Sequence, residues 1–387
     1  MNRRSFIKGA IALSACSTLM PWLSACSVSA KTLFASAFTD KANRHYVGWF
    51  DEQGHLHGRV EISERAHDLA YIKSQNRIIA FARRPGIKLH VIDVASKLVV
   101  KEIDAQPQHH FFGHGVLNAD ESLLFTTENY FDEHMTERDG LITVRETKGF
   151  SIVRQFSSHG VGPHQLALLS DNQTLVIANG GIHTHPAKSR EKLNLDTMQP
   201  NLSYINTLNG ELVAKHKLRD KHLSIRHLCV ANDDTVYFGC QYQGAVYQVN
   251  PLIYGHRIGE QIHPMKANDS EWMRFKQYIA SLSVNDQNEL AVTSPRGGVV
   301  SIWDRSSRKL KSLLTLDDTA GVASSKTIFI ATTGRGNLVG VDKGLSAIRK
   351  EDEPTLIVFP DATNIGDTDE FFGLYNDALT QCNELQD

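Results

Sequence analysis

Short strand-like runs separated by turn signals recur along this chain, and a recurrence of that length leaves few folds open. The clearest unit opens at His67-Asp68-Leu69-Ala70-Tyr71, turns at Ser74-Gln75-Asn76, and runs on through Arg77-Ile78-Ile79-Ala80-Phe81-Ala82. It turns again at Arg84-Pro85-Gly86 and continues through residues 88–93 and 98–103, giving four strands of one sheet. Comparable units begin near His114, His164, His227, Ser281 and Gly321, at steps of 47, 50, 63, 54 and 40 residues. A four-stranded blade takes about 40 to 50 residues, so two steps are long, and the stretches 181–201 and 243–275 read as insertions inside blades. Residues 32–62 supply a seventh blade. A strand from the C-terminal side is expected to close it, because joining the chain ends removes the exposed sheet edge. The expectation is therefore an all-β, seven-bladed β-propeller over residues 31–345. The acidic stretch 346–387 reads as an appendage that the pattern does not place. A pair of β-sandwiches, the competing fold, would not require the recurrence.

The N-terminus carries a different kind of signal. Arg3-Arg4-Ser5-Phe6-Ile7-Lys8, followed by a weakly apolar stretch to Leu23, has the form of a twin-arginine export signal. Leu23-Ser24-Ala25-Cys26 reads as a lipobox, with Cys26 lipidated and residues 1–25 removed, while Val28-Ser29-Ala30 would suit an ordinary signal peptidase; lipidation is favoured. A lipidated cysteine would hold the protein at a membrane through its acyl chains, and the apolar segment is too short to span one. The expected location is the periplasm. Because this route carries folded proteins, a ligand acquired during folding would travel with the chain.

Composition narrows the chemistry. A net charge of −2 gives no basic face for nucleic acid. Beyond the signal only Cys229, Cys240 and Cys382 remain, so this is no disulfide scaffold. Cys229 and Cys240 fall on adjacent strands about three positions out of register, so a bridge is possible but not favoured. Histidine is the unusual component, with 18 residues, all beyond the signal segment. That raises the question of a metal or proton-handling site.

Propeller geometry turns these histidines into a candidate site. Within a blade the start of the innermost strand and the end of the second strand meet on one face, near the central channel. His67, His114, His164 and His227 begin innermost strands and are assigned to one ligand-binding rim, the first three in the form His-x-apolar; His227 is one residue out of phase, which leaves the direction of its side chain open. Second strands end at Glu128, Asn179, Gln241 and Arg296, and Arg226 precedes His227. Imidazoles with a carboxylate suit a borderline divalent metal, zinc, copper or iron, with His114, His164, His67 and Glu128 as the candidate ligands. A ring of Arg and His would instead suit an anionic small molecule. Each histidine, alternatively, only holds a loop. His183 and His185, in the 181–201 insertion, form a secondary metal-ligating pair, whereas His109-His110 reads as packing.

Other catalytic signatures are missing from the sequence: no Gly-x-Ser-x-Gly elbow, no His-Glu-x-x-His, no phosphate-binding loop leading into a helix, and no Cys-x-x-Cys-His for covalent haem. Several segments nevertheless carry a family resemblance. Phe112-Gly113-His114-Gly115, Ser158-His159-Gly160-Val161-Gly162-Pro163-His164, Ser224-Ile225-Arg226-His227-Leu228, Phe238-Gly239-Cys240-Gln241-Tyr242-Gln243-Gly244 and Thr293-Ser294-Pro295-Arg296-Gly297-Gly298 together resemble a bacterial family catalogued as domain of unknown function 1513. The likeness spans about residues 45–340, and the last 45 or so residues depart from the family's pattern. It implies a twin-arginine-exported propeller linked with imelysin-type iron-uptake lipoproteins and a dihaem oxidoreductase, and it supplies no catalytic residue.

Three functions are consistent with these observations. The first is a metal- or ligand-binding accessory protein, working with periplasmic or lipoprotein partners of an iron-uptake system. The second is a lactonase-like hydrolase in which a metal activates water, with His164, His114 and Glu128 as ligands or acid–base groups. The third is an interaction scaffold with structural histidines. Fold alone does not choose among them.

Overall fold

The computed structural model describes residues 33–341 apart from 41, 52–53, 189–190, 326 and 335, together with 357–358 and 379–382. Arg3, Arg4, Cys26 and the whole signal segment lie outside the described residues, as does most of the stretch 346–387.

Seven four-stranded antiparallel sheets follow one another around the ring. Blade 2 is Ala66–Ile72, Arg77–Ala82, Lys88–Asp93 and Leu98–Asp104; blade 3 is His109–Leu117, Leu123–Tyr130, Leu141–Glu146 and Ile152–Ser157. Blade 4 is Pro163–Leu168, Thr174–Asn179, Asn201–Asn206 and Leu212–His216; blade 5 is Leu223–Val230, Val236–Tyr242, Ile253–His256 and His263–Pro264. Blade 6 runs from Ser281–Val284 to Lys309–Thr315, and blade 7 from Thr319–Ser325 to Ile357–Val358. Blade 1 is composite: Leu33–Thr39, His45–Asp51 and Leu56–Ile62 form its outer three strands, and Leu379–Cys382 pairs with Leu33–Thr39 as the innermost. The C-terminal stretch that the pattern left unplaced thus contributes a strand to each of the two blades that meet at the seam.

Each blade packs both faces against neighbours, so a middle strand is able to run apolar without interruption, as in blade 2. Ile78-Ile79-Ala80-Phe81-Ala82 is wholly inaccessible to solvent, and alternate residues enter separate cores on either side, Ile78 and Ala80 in one and Ile79 and Phe81 in the other. Outermost strands such as Leu98–Asp104 are mostly exposed. The largest core lies between blades 4, 5 and 6, where Trp272 and Trp303 stack at 5.2 Å.

Two local expectations change. The stretch 243–275 is no single insertion, because it contains the last two strands of blade 5 and a short helix, Asp269–Met273, capped by Asn268 and Glu271. That helix is the only α-helix among the described residues, and no helix there is long and apolar enough to cross a membrane. Cys229 and Cys240 lie opposite Tyr237 and Ile225, three positions apart, and both thiols are free.

Candidate metal centre and its cavity

Four innermost strands deliver one histidine each to the axis. His67, His114, His164 and His227 are all buried, with ring centroids 4.5 to 5.9 Å apart and one ligand atom of each within 4.8 Å of all the others. Nitrogens bound at about 2.1 Å stand about 3.4 Å apart around a tetrahedral ion and at most about 4.2 Å apart across a square-planar one, so modest side-chain movements would bring all four to one ion.

Strand irregularities aim these rings. Blade 2 carries an extra residue between Ala66 and Asp68, which is His67 itself; blade 3 is out of register between Phe111 and Gly115, and blade 4 between Pro163 and Leu166. In blade 5 the extra residue is Arg226, between Ile225 and His227. A bulge inserts one residue and re-aims the side chains after it. The one-residue offset of His227 is therefore cancelled, and its ring joins the other three.

Packing fixes the rings as closely as the backbone does. Gly113 has a φ of +98°, and a Cβ there would stand 2.7 Å from both Cβ and Cδ2 of His67, so only glycine lets blade 3 approach so near. The residue after a histidine reaches the histidine of the next blade: Oδ2 of Asp68 is 2.7 Å from Nδ1 of His114, and Oε1 of Gln165 is 3.3 Å from Nδ1 of His227. Gln165 Oε1 also accepts from the Leu228 backbone N–H. Both oxygens accept only, so each Nδ1 carries the proton and Nε2 keeps its lone pair for a ligand. After His114 the pattern lapses. Residue 115 is glycine because a Cβ there would meet the Phe81 ring at 2.4 Å, and Nδ1 of His164 is buried with no hydrogen-bond partner.

Burial holds His164 and His227 well below the ordinary histidine range, helped by Arg226 and the neighbouring imidazoles. Neutral imidazole is the form that binds metal.

Above the cluster lies a cavity of about 230 Å³. His67, His164 and His227 form part of its lining, with Arg83, Arg84, Lys192, Arg226 and Arg296 among the other lining residues and no carboxylate among the described ones. Burial and the charge of Arg84 push the Arg226 guanidinium down to about 10, so it stays charged at neutral pH. Lys192 is likewise lowered, first by burial and then by Arg296 and Arg226.

The remaining candidates separate clearly. Gln241 lines the cavity, whereas Asn179 is buried and donates to the Ser158 carbonyl, Asn201 and Ser203. Glu128 does not join the histidines. Along its strand Thr126 and Glu128 share one face, where Arg145 bonds both, with 2.6 Å to Glu128 Oε1; Thr127 points the other way and donates to the His164 carbonyl. In the 181–201 loop Ile182 and Thr184 line the cavity, and His183 and His185 alternate away from it. Nε2 of His185 meets the Asp132 carbonyl and Nδ1 accepts from Ala187, which leaves neither nitrogen open. His110 is packing, set against Phe112 and Phe131.

Sequence reasoning passed over Arg83, Arg84, Lys192 and Asp68. The rule that placed Arg296 at the end of a second strand, applied to blade 2, reaches Arg83-Arg84 directly after Ala82. Lys192 sits in a long loop, where strand periodicity offers no guide.

A family model described as protein of unknown function (DUF1513) matches residues 60–356, a stretch that includes all four histidines and every cationic residue of the cavity. The chain belongs to the DUF1513 family. No curated protein matches it. Among solved structures, Kuenenia stuttgartiensis hydrazine synthase is similar at 13% identity over 78% of this chain and 90% of that one, with a TM-score of 0.58. At that identity the likeness concerns the fold alone. This DUF1513 chain therefore takes its functional reading from its own axial residues.

Proposed function

We propose that this propeller is a metal-binding accessory protein whose axial histidines hold one borderline divalent ion, zinc, copper or iron. The observation that carries the reading is the convergence of four buried imidazoles from four blades, ligand atoms within 4.8 Å, two of them oriented by Asp68 and Gln165. Structural histidines would have both of their buried ring nitrogens hydrogen-bonded. Here Nε2 of His114 and Nδ1 of His164 are buried with no hydrogen-bond partner. All-imidazole ligation suits zinc, copper and iron, and a ligand set without oxygen donors argues against calcium or magnesium.

Three of the four histidines border the cavity, so a bound ion would offer a coordination position to a small molecule. The hydrolase reading has less support, because Glu128, its acid–base group, is committed to Arg145, and no carboxylate among the described residues of the cavity wall replaces it. The twin-arginine and lipobox readings of the N-terminus support a periplasmic, membrane-anchored setting, the family resemblance supports iron-uptake lipoproteins as partners, and on this reading the ion is acquired as the chain folds before export.

The test is elemental analysis of chelator-free protein, before and after addition of each metal, beside the His114→Ala/His164→Ala variant. One equivalent of zinc, copper or iron that the folded variant lacks is the expected result. A wild-type protein that takes up no metal, or a variant that takes up as much, would overturn the reading.

A further inference from the structure

The cavity over the histidines gathers positive charge that its described lining does not offset. Among the described residues its lining includes five cationic side chains and no carboxylate. Among the described residues, three of them meet only neutral groups: Lys192 Nζ donates to the amide oxygen of Gln243, Arg296 lies over the Tyr278 ring at 4.5 Å, and Arg226 Nε is buried with no acceptor. Like charges gathered in a partly enclosed space repel, and a buried guanidinium N–H left without an acceptor is costly. The four imidazoles are neutral ligands, so a divalent ion on them would keep its full charge and add to the same field.

We propose that the axial metal binds together with a small dianionic oxyanion, one oxygen on the metal and the others accepting from Arg226, Arg296 and Lys192. The proposal rests on the metal reading of the four histidines. Planar guanidinium forks and an ammonium group match carboxylate or phosphate oxygens, and the ligand is of that shared chemistry, a dicarboxylate or a phosphate group. The 181–201 loop has a role in this arrangement: it brings Lys192 and Thr184 over the cavity, and Thr184 accepts from Arg84 at 2.6 Å.

Cobalt(II)-loaded protein provides the test, since its visible absorption responds to a change of ligand on the metal. Malonate and inorganic phosphate are titrated in turn, with acetate as the monoanion control. The expected result is a spectral change with one or both dianions, at least tenfold tighter than with acetate. The Lys192→Gln/Arg296→Gln variant should keep its cobalt and bind the dianion at least tenfold more weakly. A response to malonate alone assigns the carboxylate source, and a response to phosphate alone the other. Should the double variant fail to fold, Arg226→Gln is read in the same way. A cobalt spectrum unmoved by either dianion overturns the proposal and leaves the metal reading standing. Failure to take up cobalt removes both.

Discussion

Nδ1 of His114 stands 2.7 Å from Oδ2 of Asp68, the residue that directly follows His67 in the chain. One dipeptide thus supplies a ring to the cluster and the carboxylate that orients the next ring. Asp68 Oδ1 also accepts from the Leu69 backbone N–H at 2.8 Å, which fixes the carboxylate in turn. Such carboxylate–histidine pairs set the tautomer and raise the basicity of a ligating imidazole.

Asp68→Asn keeps the shape and removes the charge. Metal affinity is expected to fall about ten- to a hundredfold, read by competition with a chromophoric chelator while the circular dichroism spectrum stays unchanged. Affinity equal to wild type would remove Asp68 from the account.

Glu128 and Arg145 are each almost wholly inaccessible, and their contact is 2.6 Å. Glu128→Leu leaves the guanidinium buried and unpaired, and should cost roughly 3–5 kcal/mol in a denaturant melt. Replacing Arg145 with Met in the same chain should recover much of the loss. Metal content, measured on protein that remains folded, should not change; its loss from both Glu128→Leu and the double variant would reinstate Glu128 as part of the centre.

Gly113→Ala tests the packing that aims His67. A Cβ there meets the His67 side chain at 2.7 Å, whereas Gly259, also at positive φ, has nothing within 4 Å. Both substitutions carry the backbone penalty of about 1 kcal/mol, but only Gly113→Ala should also weaken metal binding, by about tenfold or more. Equal metal affinity in the two variants would show that the contact is dispensable.

Acid sensitivity should arise in part from His110. Burial pushes its imidazole down to about 4 from 6.5, with Arg84, His109 and His185 adding to the effect and its hydrogen bond to the Phe111 carbonyl opposing it. A folded value below the unfolded one means that the unfolded chain takes the proton first. The contribution is therefore intact above pH 6.5, is lost as pH falls towards about 4, and amounts to roughly 3 kcal/mol over that window. His110→Phe should flatten the fall in urea midpoint between these limits; an unchanged slope would assign the acid limb elsewhere.

The blade pattern was legible because strands buried on both faces spell themselves as short apolar runs between turn residues, as at Arg77–Ala82. His67, His114 and His164 were legible for a related reason, since they sit at the same point of successive repeats. The direction of His227 stayed open because an extra residue within a strand, here Arg226, leaves no mark on a period-two pattern until the pairing partner is known. Glu128 was misplaced by the same ambiguity in reverse. One step along a strand separates Thr127, bonded to the His164 carbonyl, from a side chain on the opposite face. A closing strand from the C-terminal side was expected, but its position at Leu379–Cys382 was not legible because it is short and far in sequence from Leu33–Thr39, its partner.

That seam also fixes an order of events. The four histidines occupy consecutive blades between residues 67 and 227, while the strand that completes blade 1 lies at 379–382. A chain emerging from the ribosome therefore presents every axial imidazole before it can latch the ring. Closure comes after the centre's parts are made, and acts on them as a clasp rather than as a source of ligands.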